Sequence, residues 1–555
     1  MSKRVLIVGG VAGGATCAAR LRRMDEQAEI VVFERGPYVS FANCGLPYYV
    51  GEVIRQESKL LLASPELFRD RFRIDVRTGA EVVAIDRMAQ TVRVRMVSGG
   101  EEQIEHYDEL VLSPGAAPIR PAWPGIELEG IFTLRNVPDS RAIRAWIDDR
   151  KPQSAVVVGG GFIGLEMAEN LVHRGLQVTL VELAAQVMPP LDAEMAEYAR
   201  ERLEERGVRL LLGDAVTGFE KIDGGLRVRT QAGIGLEAGM VVLAIGVRPE
   251  TRLAAEAGLA LGERGGIRVN ERMQSSDAHI WAIGDAVETP HFVTGEQGVI
   301  PLAGPANRQA RVLADVLSGR DSVYRGSQAT AICGFFGLTV AMTGATEKQL
   351  RRAGQSDFAA VYLHPGHHVS YYPGARAIHL KLLFRRSDGR ILGAQAAGEE
   401  GVERRIDVIA QALQLSGTVF DLEESELCYA PQFGGAKDPV NFAGMIAANA
   451  VRGDAEVAPW SEIGTANAFL LDVRDPQEFA AGAMPGASNI PLHQLRERLG
   501  ELPHDRAIWV SCGVGQRAHY AVRILVQHGF VARNLSGGYS TYRVLYPSRE
   551  SDSRQ

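Results

Sequence analysis

The chain has 555 residues, 46% of them hydrophobic and 23% charged, which is typical of a globular protein of about three to five domains. The net charge of -7 argues against nucleic acid as the main partner. No apolar run approaches the roughly 18 residues that span a bilayer, so we expect no membrane span. The five cysteines are scattered, which favours free thiols in a reducing, cytoplasmic location.

Two similar strand–turn–helix–strand segments predict two dinucleotide sites in Rossmann-like folds. The turn glycines are Gly9, Gly13 and Gly14 in the first segment and Gly159, Gly161 and Gly164 in the second. The second strand of each segment ends at an acid, Glu34 or Glu182, which we expect to bind an adenosine ribose. The first turn departs from the usual pattern because Val11 stands at its middle position.

Three further motifs, at residues 112–118, 244–249 and 280–285, resemble the interdomain crossings and second flavin motif of the two-dinucleotide-binding flavoproteins. This resemblance assigns FAD to the first site and the nicotinamide to the second. Glu182, followed by Leu183 and Ala184, then favours NADH over NADPH, because a carboxylate repels the additional phosphate. The resemblance also implies cofactor contacts from Arg35, Asn43, Asp285, Ala303, Ile163 and Gly246.

Cys44 is the candidate redox residue. It has no second cysteine at the C-x4-C position, where Tyr49 stands. The surrounding Ser40-Phe41-Ala42-Asn43-Cys44-Gly45 sequence resembles the single-cysteine branch of the flavin disulfide reductases, which includes coenzyme A disulfide reductases, CoA-persulfide reductases and NADH oxidases or peroxidases. We expect a helix start to stabilise the Cys44 thiolate. Cys17, Cys333 and Cys428 are expected to be buried structural residues.

Residues 427–441 resemble the C-terminal signature of the coenzyme A disulfide reductases, in which a tyrosine of the partner subunit approaches the redox cysteine. Tyr429 matches that position, and if it serves the other subunit's flavin site, the enzyme must be a homodimer. Tyr371 matches a second active-site tyrosine, although the adjacent Tyr372 leaves this assignment open. The phosphates of coenzyme A are expected to contact basic side chains: Arg22, Arg23, and Arg71 or Arg73. The pantetheine path is expected to be lined by Ser40 and Phe41.

Residues 470–491, 508–517 and 534–539 resemble the opening, active-site loop and closing signature of a rhodanese domain. In the loop from Cys512 to Arg517, small residues would point successive N–H groups at the sulfur of Cys512. Arg517 would either bind an anionic sulfur donor or brace the loop.

The predicted fold class is α/β, with FAD and NAD Rossmann-like domains, an α/β dimerisation domain and an α/β rhodanese domain. The expected boundaries are 1–118 with 247–323 for FAD, 119–246 for NAD(H), 324–448 for dimerisation, 449–459 for a linker and 460–548 for the rhodanese domain.

The predicted function is NADH-dependent reduction of a persulfide, polysulfide or CoA disulfide through Cys44, coupled to sulfur transfer by Cys512. The sequence leaves CoA persulfide, CoA disulfide, polysulfide and glutathione persulfide open as acceptors, as well as the direction of sulfur flow. Two alternatives are an NADH oxidase or peroxidase cycling through a Cys44 sulfenic acid, and a redox-sensing sulfur carrier. We expect no metal site.

Overall fold

A computed structural model describes residues 3–546. Residues 547 and 548, which we assigned to the rhodanese domain, lie outside the described residues. Within the described residues, the chain divides into two compact units: the first contains 3–185 and Glu204–Ala329, and the second contains Gln186–Leu203 and 330–546. The segment 186–203, which we expected in the NAD(H) domain, therefore groups with the second unit.

Each dinucleotide segment of the first unit lies in a five-stranded parallel sheet. The first sheet has the order Ile280–Ala282, Glu109–Leu112, Arg4–Val8, Glu29–Glu34 and Asp75–Thr78. The second has the order Arg209–Leu212, Gln177–Glu182, Ser154–Val158, Met240–Leu243 and Ile131–Thr133. The central strands are rich in valine and isoleucine because both sheet faces are covered. The two Rossmann-like folds are confirmed.

The first unit also contains smaller sheets. The antiparallel three-stranded sheets are Ala80–Asp86, Thr91–Met96 and Gln103–His106, and Val216–Ile222, Gly225–Thr230 and Gly235–Ala238. The two predicted crossings pair with each other as strands Ala116–Pro118 and Val247–Pro249. A further small sheet contains Ile267–Arg268, Val287–Pro290 and Gln297–Gly298.

Helices connect these strands. In the first unit they are Ala12–Met24, Leu46–Val50, Pro65–Phe72, Val137–Arg150, Phe162–His173, Arg252–Glu256 and Ala303–Leu317. Helix Val137–Arg150 begins with a capping box: the Asn136 side chain accepts a hydrogen bond from the Asp139 N–H, and the Asp139 carboxylate accepts one from the Asn136 N–H.

The second unit begins with a five-stranded antiparallel sheet. Its order is Ala331–Phe335, Leu338–Gly344, Ile391–Gly398, Ile378–Arg385 and Phe358–Leu363. The helices associated with it are Ala193–Glu205, which crosses the unit boundary, Glu347–Arg352, Val402–Gln414, Val419–Glu424 and Pro439–Arg452.

The segment between this part and the rhodanese part is more ordered than a linker. Residues 449–452 form the last turn of helix Pro439–Arg452, which stops at Gly453 with a φ of +76°. Ala455 then packs into the rhodanese core. In this segment Gly453 therefore ends a helix, and Ala455 packs in a core.

The rhodanese part is a four-stranded parallel sheet in the order Ser488–Asn489, Ala468–Asp472, Ala507–Ser511 and Ala532–Asn534. Its helices are Pro476–Ala480, Gln516–Gln527 and Gly538–Leu545. It contacts the antiparallel sheet of the same unit, because the Tyr362 N–H donates to Ser536 Oγ at 3.1 Å and His364 Nε2 lies 2.8 Å from Thr541 Oγ1. This contact fixes the closing segment of the rhodanese loop.

A buried charge cluster in the second unit surrounds Lys381, whose side chain is 1% exposed. The Lys381 ammonium lies 2.8 Å from Asp192 Oδ2, 2.8 Å from Glu347 Oε1, and also donates to Glu194. The spacing of these three carboxylates would suit a metal ion. Because the ammonium already lies among them, we interpret the cluster as an internal ion-pair network.

Within residues 3–546, no helix combines the length and apolar character needed to cross a membrane.

Candidate active sites

The first glycine turn follows strand Arg4–Val8. Gly9 has a φ of +95°, and a Cβ on Gly14 would lie 1.9 Å from the Gly9 carbonyl oxygen, so only glycine allows this helix to approach the strand. The Glu34 carboxylate accepts hydrogen bonds from the N–H groups of Gly10, at 2.8 Å, and Gly36, at 2.7 Å. It retains acceptor capacity for a ribose hydroxyl.

The second turn repeats this geometry. Gly159 has a φ of +107°, and a Cβ on Gly164 would again lie 1.9 Å from the carbonyl oxygen of the first glycine. A Cβ on Gly161 would meet nothing within 4 Å, which leaves open space for a pyrophosphate. Glu182 accepts from the Gly160 N–H at 2.6 Å and from Ala184 at 2.8 Å. Both turns therefore fit dinucleotides. In the first turn, Val11 stands at the position that Gly161 has in the second, and its side chain narrows the space there.

Asp285 follows the short strand Ile280–Ala282 in the first unit. The adjacent Gly284 N–H donates to Gln309 of helix Ala303–Leu317, which places the start of that helix near Asp285. Burial raises the pKa of the Asp285 carboxyl. No group among residues 3–546 donates a hydrogen bond to its carboxylate, and a ligand hydroxyl would supply one.

The other predicted cofactor residues differ in what they contact. Arg35 is half exposed and pairs with Glu250 at 3.2 Å, so part of its charge is already balanced. Asn43 Nδ2 makes a long 3.4 Å hydrogen bond to the Arg135 carbonyl oxygen. The other three lie at helix starts or in a turn. Ala303 begins helix Ala303–Leu317, Ile163 is the exposed second residue of helix Phe162–His173, and Gly246 has a φ of +107°.

Cys44 lies in the single 3-10 turn Asn43–Gly45, immediately before the helix Leu46–Val50. It is exposed and unpaired. Tyr49, at the position of a second cysteine, is only 8% exposed and packs inward. The preceding segment is tied to the first glycine turn, because the Ser40 N–H donates to the Gly10 carbonyl oxygen at 2.8 Å. Within this segment Cys44 therefore has no cysteine partner for an internal disulfide.

The electrostatic surroundings of Cys44 correct one expectation. Although the residue is exposed, partial desolvation raises the pKa of its thiol, and the carboxylates of Glu166 and Asp285 raise it further. A backbone hydrogen bond lowers the pKa by less than desolvation or Glu166 raises it. Desolvation and the two carboxylates thus outweigh the backbone hydrogen bond, so the protein part of the site does not stabilise the thiolate.

Glu166, on helix Phe162–His173, is a site residue that our sequence reasoning missed. Burial raises the pKa of its carboxyl to about 7, and Glu169 adds to the rise. Its Oε1 accepts a 3.4 Å hydrogen bond from the Tyr48 hydroxyl, which links it to the helix after Cys44. The sequence offered one signal for Glu166, its position two residues after Gly164. Its contact with Tyr48 could not be predicted, because the two residues are 118 positions apart.

The predicted coenzyme A contacts require a correction at Arg22. This side chain is buried and donates to the carbonyl oxygens of Asp25, Glu26, Phe72 and Arg73. Four of its five N–H donors are thus used, and we remove it from the proposed set. Arg23, Arg71 and Arg73 are exposed, and Ser40 and Phe41 are half-buried near Cys44 in sequence.

The two predicted tyrosines lie together in the second unit. The hydroxyl oxygens of Tyr371 and Tyr429 are 2.9 Å apart, and this hydrogen bond raises the pKa of Tyr371. Tyr372 instead packs against the ring of His368. The pairing favours Tyr371 as the second tyrosine. Cys428, expected to be buried, is exposed, whereas Cys17 and Cys333 are buried as predicted.

Cys512 ends the rhodanese strand Ala507–Ser511 and is 1% exposed. Its Sγ accepts a hydrogen bond from the Gly515 N–H at 3.1 Å, and Gly515 has a φ of +93°. The closing segment packs on the loop, because the Tyr539 N–H donates to the Cys512 carbonyl oxygen at 2.7 Å. The loop thus directs the Gly515 N–H at the sulfur atom, which suits a thiolate or persulfide.

Arg517 is already paired with an acid, which reduces its attraction for an anionic donor. Its guanidinium forms two hydrogen bonds to Glu478, at 2.6 and 2.7 Å. A Cβ on Gly513 would lie 3.6 Å from Arg517 Nη2, so the guanidinium borders the loop. Of the two predicted roles, bracing is the one that this geometry supports. Glu478 is a second residue that the sequence reasoning missed.

Family models match most of the chain. Residues 3–310 match the pyridine nucleotide-disulphide oxidoreductase model, residues 330–438 its dimerisation domain and residues 459–544 the rhodanese-like domain.

Among solved structures, reduced CoADR-RHD from Bacillus anthracis is 48% identical with a TM-score of 0.96, and 99% of each chain is covered. An NAD-dependent persulfide reductase from A. fulgidus is 37% identical with a TM-score of 0.88, covering 97% of this chain and 100% of that one. Coenzyme A disulfide reductase from Staphylococcus haemolyticus is 34% identical over 443 residues, 80% of this chain and 98% of the relative. The chain therefore belongs to the pyridine nucleotide-disulphide oxidoreductase family, with a rhodanese-like domain after its dimerisation domain.

Proposed function

We propose that the protein is an FAD-dependent NADH:persulfide reductase that also reduces CoA disulfide, and that Cys512 transfers sulfane sulfur. The observation that carries this proposal is Cys44, an exposed and unpaired thiol in the same unit as both dinucleotide turns. The relatives named as persulfide and coenzyme A disulfide reductases support the same substrate class.

The two turns have the features that the cofactors require. Gly9, Gly14, Glu34 and Asp285 would hold FAD, and a second set would hold NADH: Gly159, Gly161, Gly164 and Glu182. FAD, when bound, relays an electron pair from NADH to sulfur. The Glu182 carboxylate disfavours NADPH by repelling its additional phosphate.

At Cys44 the proposed step is a thiol exchange. The Cys44 thiolate attacks the carbon-bound sulfur of a persulfide R–S–SH, so that a mixed disulfide forms and hydrosulfide leaves. Two electrons then cleave the mixed disulfide, returning the Cys44 thiolate and releasing R–SH. In sum, one NADH, one proton and one persulfide give NAD+, the thiol and hydrogen sulfide.

The tyrosine pair supports a dimeric active site. Tyr371 is 71% and Tyr429 49% exposed in the single chain, and a match to a dimerisation domain covers both residues. We propose a homodimer in which these hydroxyls serve the partner subunit's Cys44 by protonating the departing thiolate. The free state of all five cysteines fits a reducing, cytoplasmic location.

The experiment that tests this function is anaerobic NADH oxidation with a panel of acceptors. We expect rapid turnover with CoA persulfide and slower turnover with CoA disulfide, with hydrogen sulfide released from the persulfide in a one-to-one ratio to NADH. An NADH oxidase cycling through a sulfenic acid would instead need oxygen or peroxide and release no sulfide. Fast aerobic turnover with none of the sulfur acceptors active would contradict the proposal.

Charge removal at Glu166 provides a test of the electrostatics of Cys44. Because the Glu166 carboxylate raises the pKa of the Cys44 thiol, Glu166→Gln should shift the pH profile of Cys44 alkylation toward lower pH. Iodoacetamide labelling of the reduced protein, followed on the Cys44 peptide by mass spectrometry, measures this shift separately from the exposed Cys428. Glu166→Asp, which keeps the charge, should retain the wild-type profile. An unchanged or higher midpoint in Glu166→Gln would contradict this role.

A further inference from the structure

One basic and two acidic side chains lie beside the Cys512 loop. Arg517 makes a two-pronged ion pair with Glu478, and its Nη1 also lies 3.8 Å from Asp475 Oδ2. The side chains are partly exposed, at 33% for Arg517, 43% for Glu478 and 62% for Asp475. A donor molecule approaching the loop would therefore meet these groups.

The acids outweigh the base among these three groups. Hydrogen bonding to Arg517 lowers the pKa of Glu478 to about 2, so this carboxylate is ionised at physiological pH. The nearby Arg474 adds no free positive charge, because it is buried against Asp472 with a 2.8 Å contact. These three side chains, one guanidinium and two carboxylates, together carry a net charge of −1 beside the loop.

Glu478 also has a structural contact, which defines how it can be tested. Its Oε2 accepts a 3.1 Å hydrogen bond from the Asp475 N–H, in the capping box of helix Pro476–Ala480. Glutamine serves at this capping position as well as glutamate does. Glu478→Gln therefore removes the charge and keeps an acceptor for the cap.

We infer that Glu478 is a specificity-determining residue, which disfavours dianionic sulfur donors such as thiosulfate and leaves persulfides of thiols as the preferred donors of Cys512. Thiosulfate would bring two negative charges next to Glu478 and, after passing its outer sulfur to Cys512, release sulfite. A thiol persulfide R–S–SH passes its terminal sulfur to the Cys512 thiolate and releases the thiolate R–S⁻, and any charges on R lie farther away. This inference rests on the proposed sulfur transfer by Cys512 and names its substrate class.

The test compares Glu478→Gln with wild type in the full-length holoenzyme, with cyanide as the sulfur acceptor. Removing one charge near a dianion and freeing Arg517 should raise kcat/KM for thiosulfate about tenfold at low ionic strength, and by less at high salt. The kcat/KM for 2-mercaptoethanol persulfide, whose thiol is uncharged, should change by less than about twofold. Glu501→Gln is the matched control, because Glu501 pairs with Arg498 at 2.7 Å elsewhere in the same domain.

Asp475→Asn provides a second variant, because asparagine also caps a helix well. It should also raise kcat/KM for thiosulfate, by less than Glu478→Gln does. A fall in thiosulfate turnover in Glu478→Gln, or an equal rise for both donors, would overturn the inference and show that Glu478 only braces the loop. A wild-type protein inactive with both donors would contradict the proposed sulfurtransferase function itself, and this inference with it.

Discussion

Replacing Cys44 by serine should lower kcat for NADH-dependent persulfide reduction at least about a thousandfold, because a serine hydroxyl forms no mixed disulfide with the substrate. Cys44 is exposed, and Tyr49 packs inward where a second cysteine would stand. No neighbouring thiol can therefore replace it. Steady-state NADH oxidation with CoA persulfide under anaerobic conditions measures the loss.

Cys428→Ser is the matched control for this experiment, since Cys428 is also an exposed thiol. It should retain the wild-type rate. Bound FAD, followed by its absorbance, should be retained in both variants, because neither side chain belongs to the glycine turns. Full persulfide turnover by Cys44→Ser would remove Cys44 from the mechanism.

Cys512→Ser should have the complementary effect. Sulfur transfer from a persulfide to cyanide should fall at least about a thousandfold, because the loop then lacks the sulfur that the Gly515 N–H contacts. NADH-dependent reduction of CoA persulfide should continue, since that step uses Cys44. Thiocyanate formation and NADH oxidation, measured on the same preparation, separate the two activities.

This separation is informative in both directions. If Cys512→Ser also stopped NADH oxidation with CoA persulfide, sulfur would have to pass through Cys512 before it reached Cys44. If Cys44→Ser removed cyanide-dependent transfer, the rhodanese part would depend on the reductase. Either result would contradict independent activities of Cys44 and Cys512.

The parts of the fold that the sequence predicted are those governed by local chain geometry. Gly9 and Gly159 adopt positive φ values, and Gly14 and Gly164 allow helices to approach strands closely. Each requirement acts within one strand–turn–helix segment, so a short motif reveals it. The two crossings were also predictable, and their pairing as antiparallel strands shows that both sequences serve one junction.

The parts that the sequence did not predict depend on contacts between distant residues. Arg22 looked available for a phosphate, but the carbonyl oxygens of Phe72 and Arg73, about 50 positions away, use its donors. Glu478 neutralises Arg517 from 39 positions away. A charged side chain in a sequence shows what it can bind, whereas its partner is decided by tertiary packing.

The end of helix Pro439–Arg452 is another feature that the sequence did not predict, because it depends on packing. Residues 449–452 consist of small or polar side chains within a segment that resembled a linker, yet they complete helix Pro439–Arg452. The Asp438 cap at the other end of the helix and the burial of Ala443 and Ala447 along its length stabilise it. Local composition does not report such packing.

The most direct test of the central claim is the chemical state of Cys44 after substrate is added without NADH. The protein is reduced, freed of reductant under anaerobic conditions, treated with CoA persulfide and digested for peptide mass spectrometry. We predict a CoA mixed disulfide on the Cys44 peptide, which disappears when NADH is added. An unmodified Cys44 in a protein that still releases sulfide from CoA persulfide at the wild-type rate on adding NADH would contradict the account.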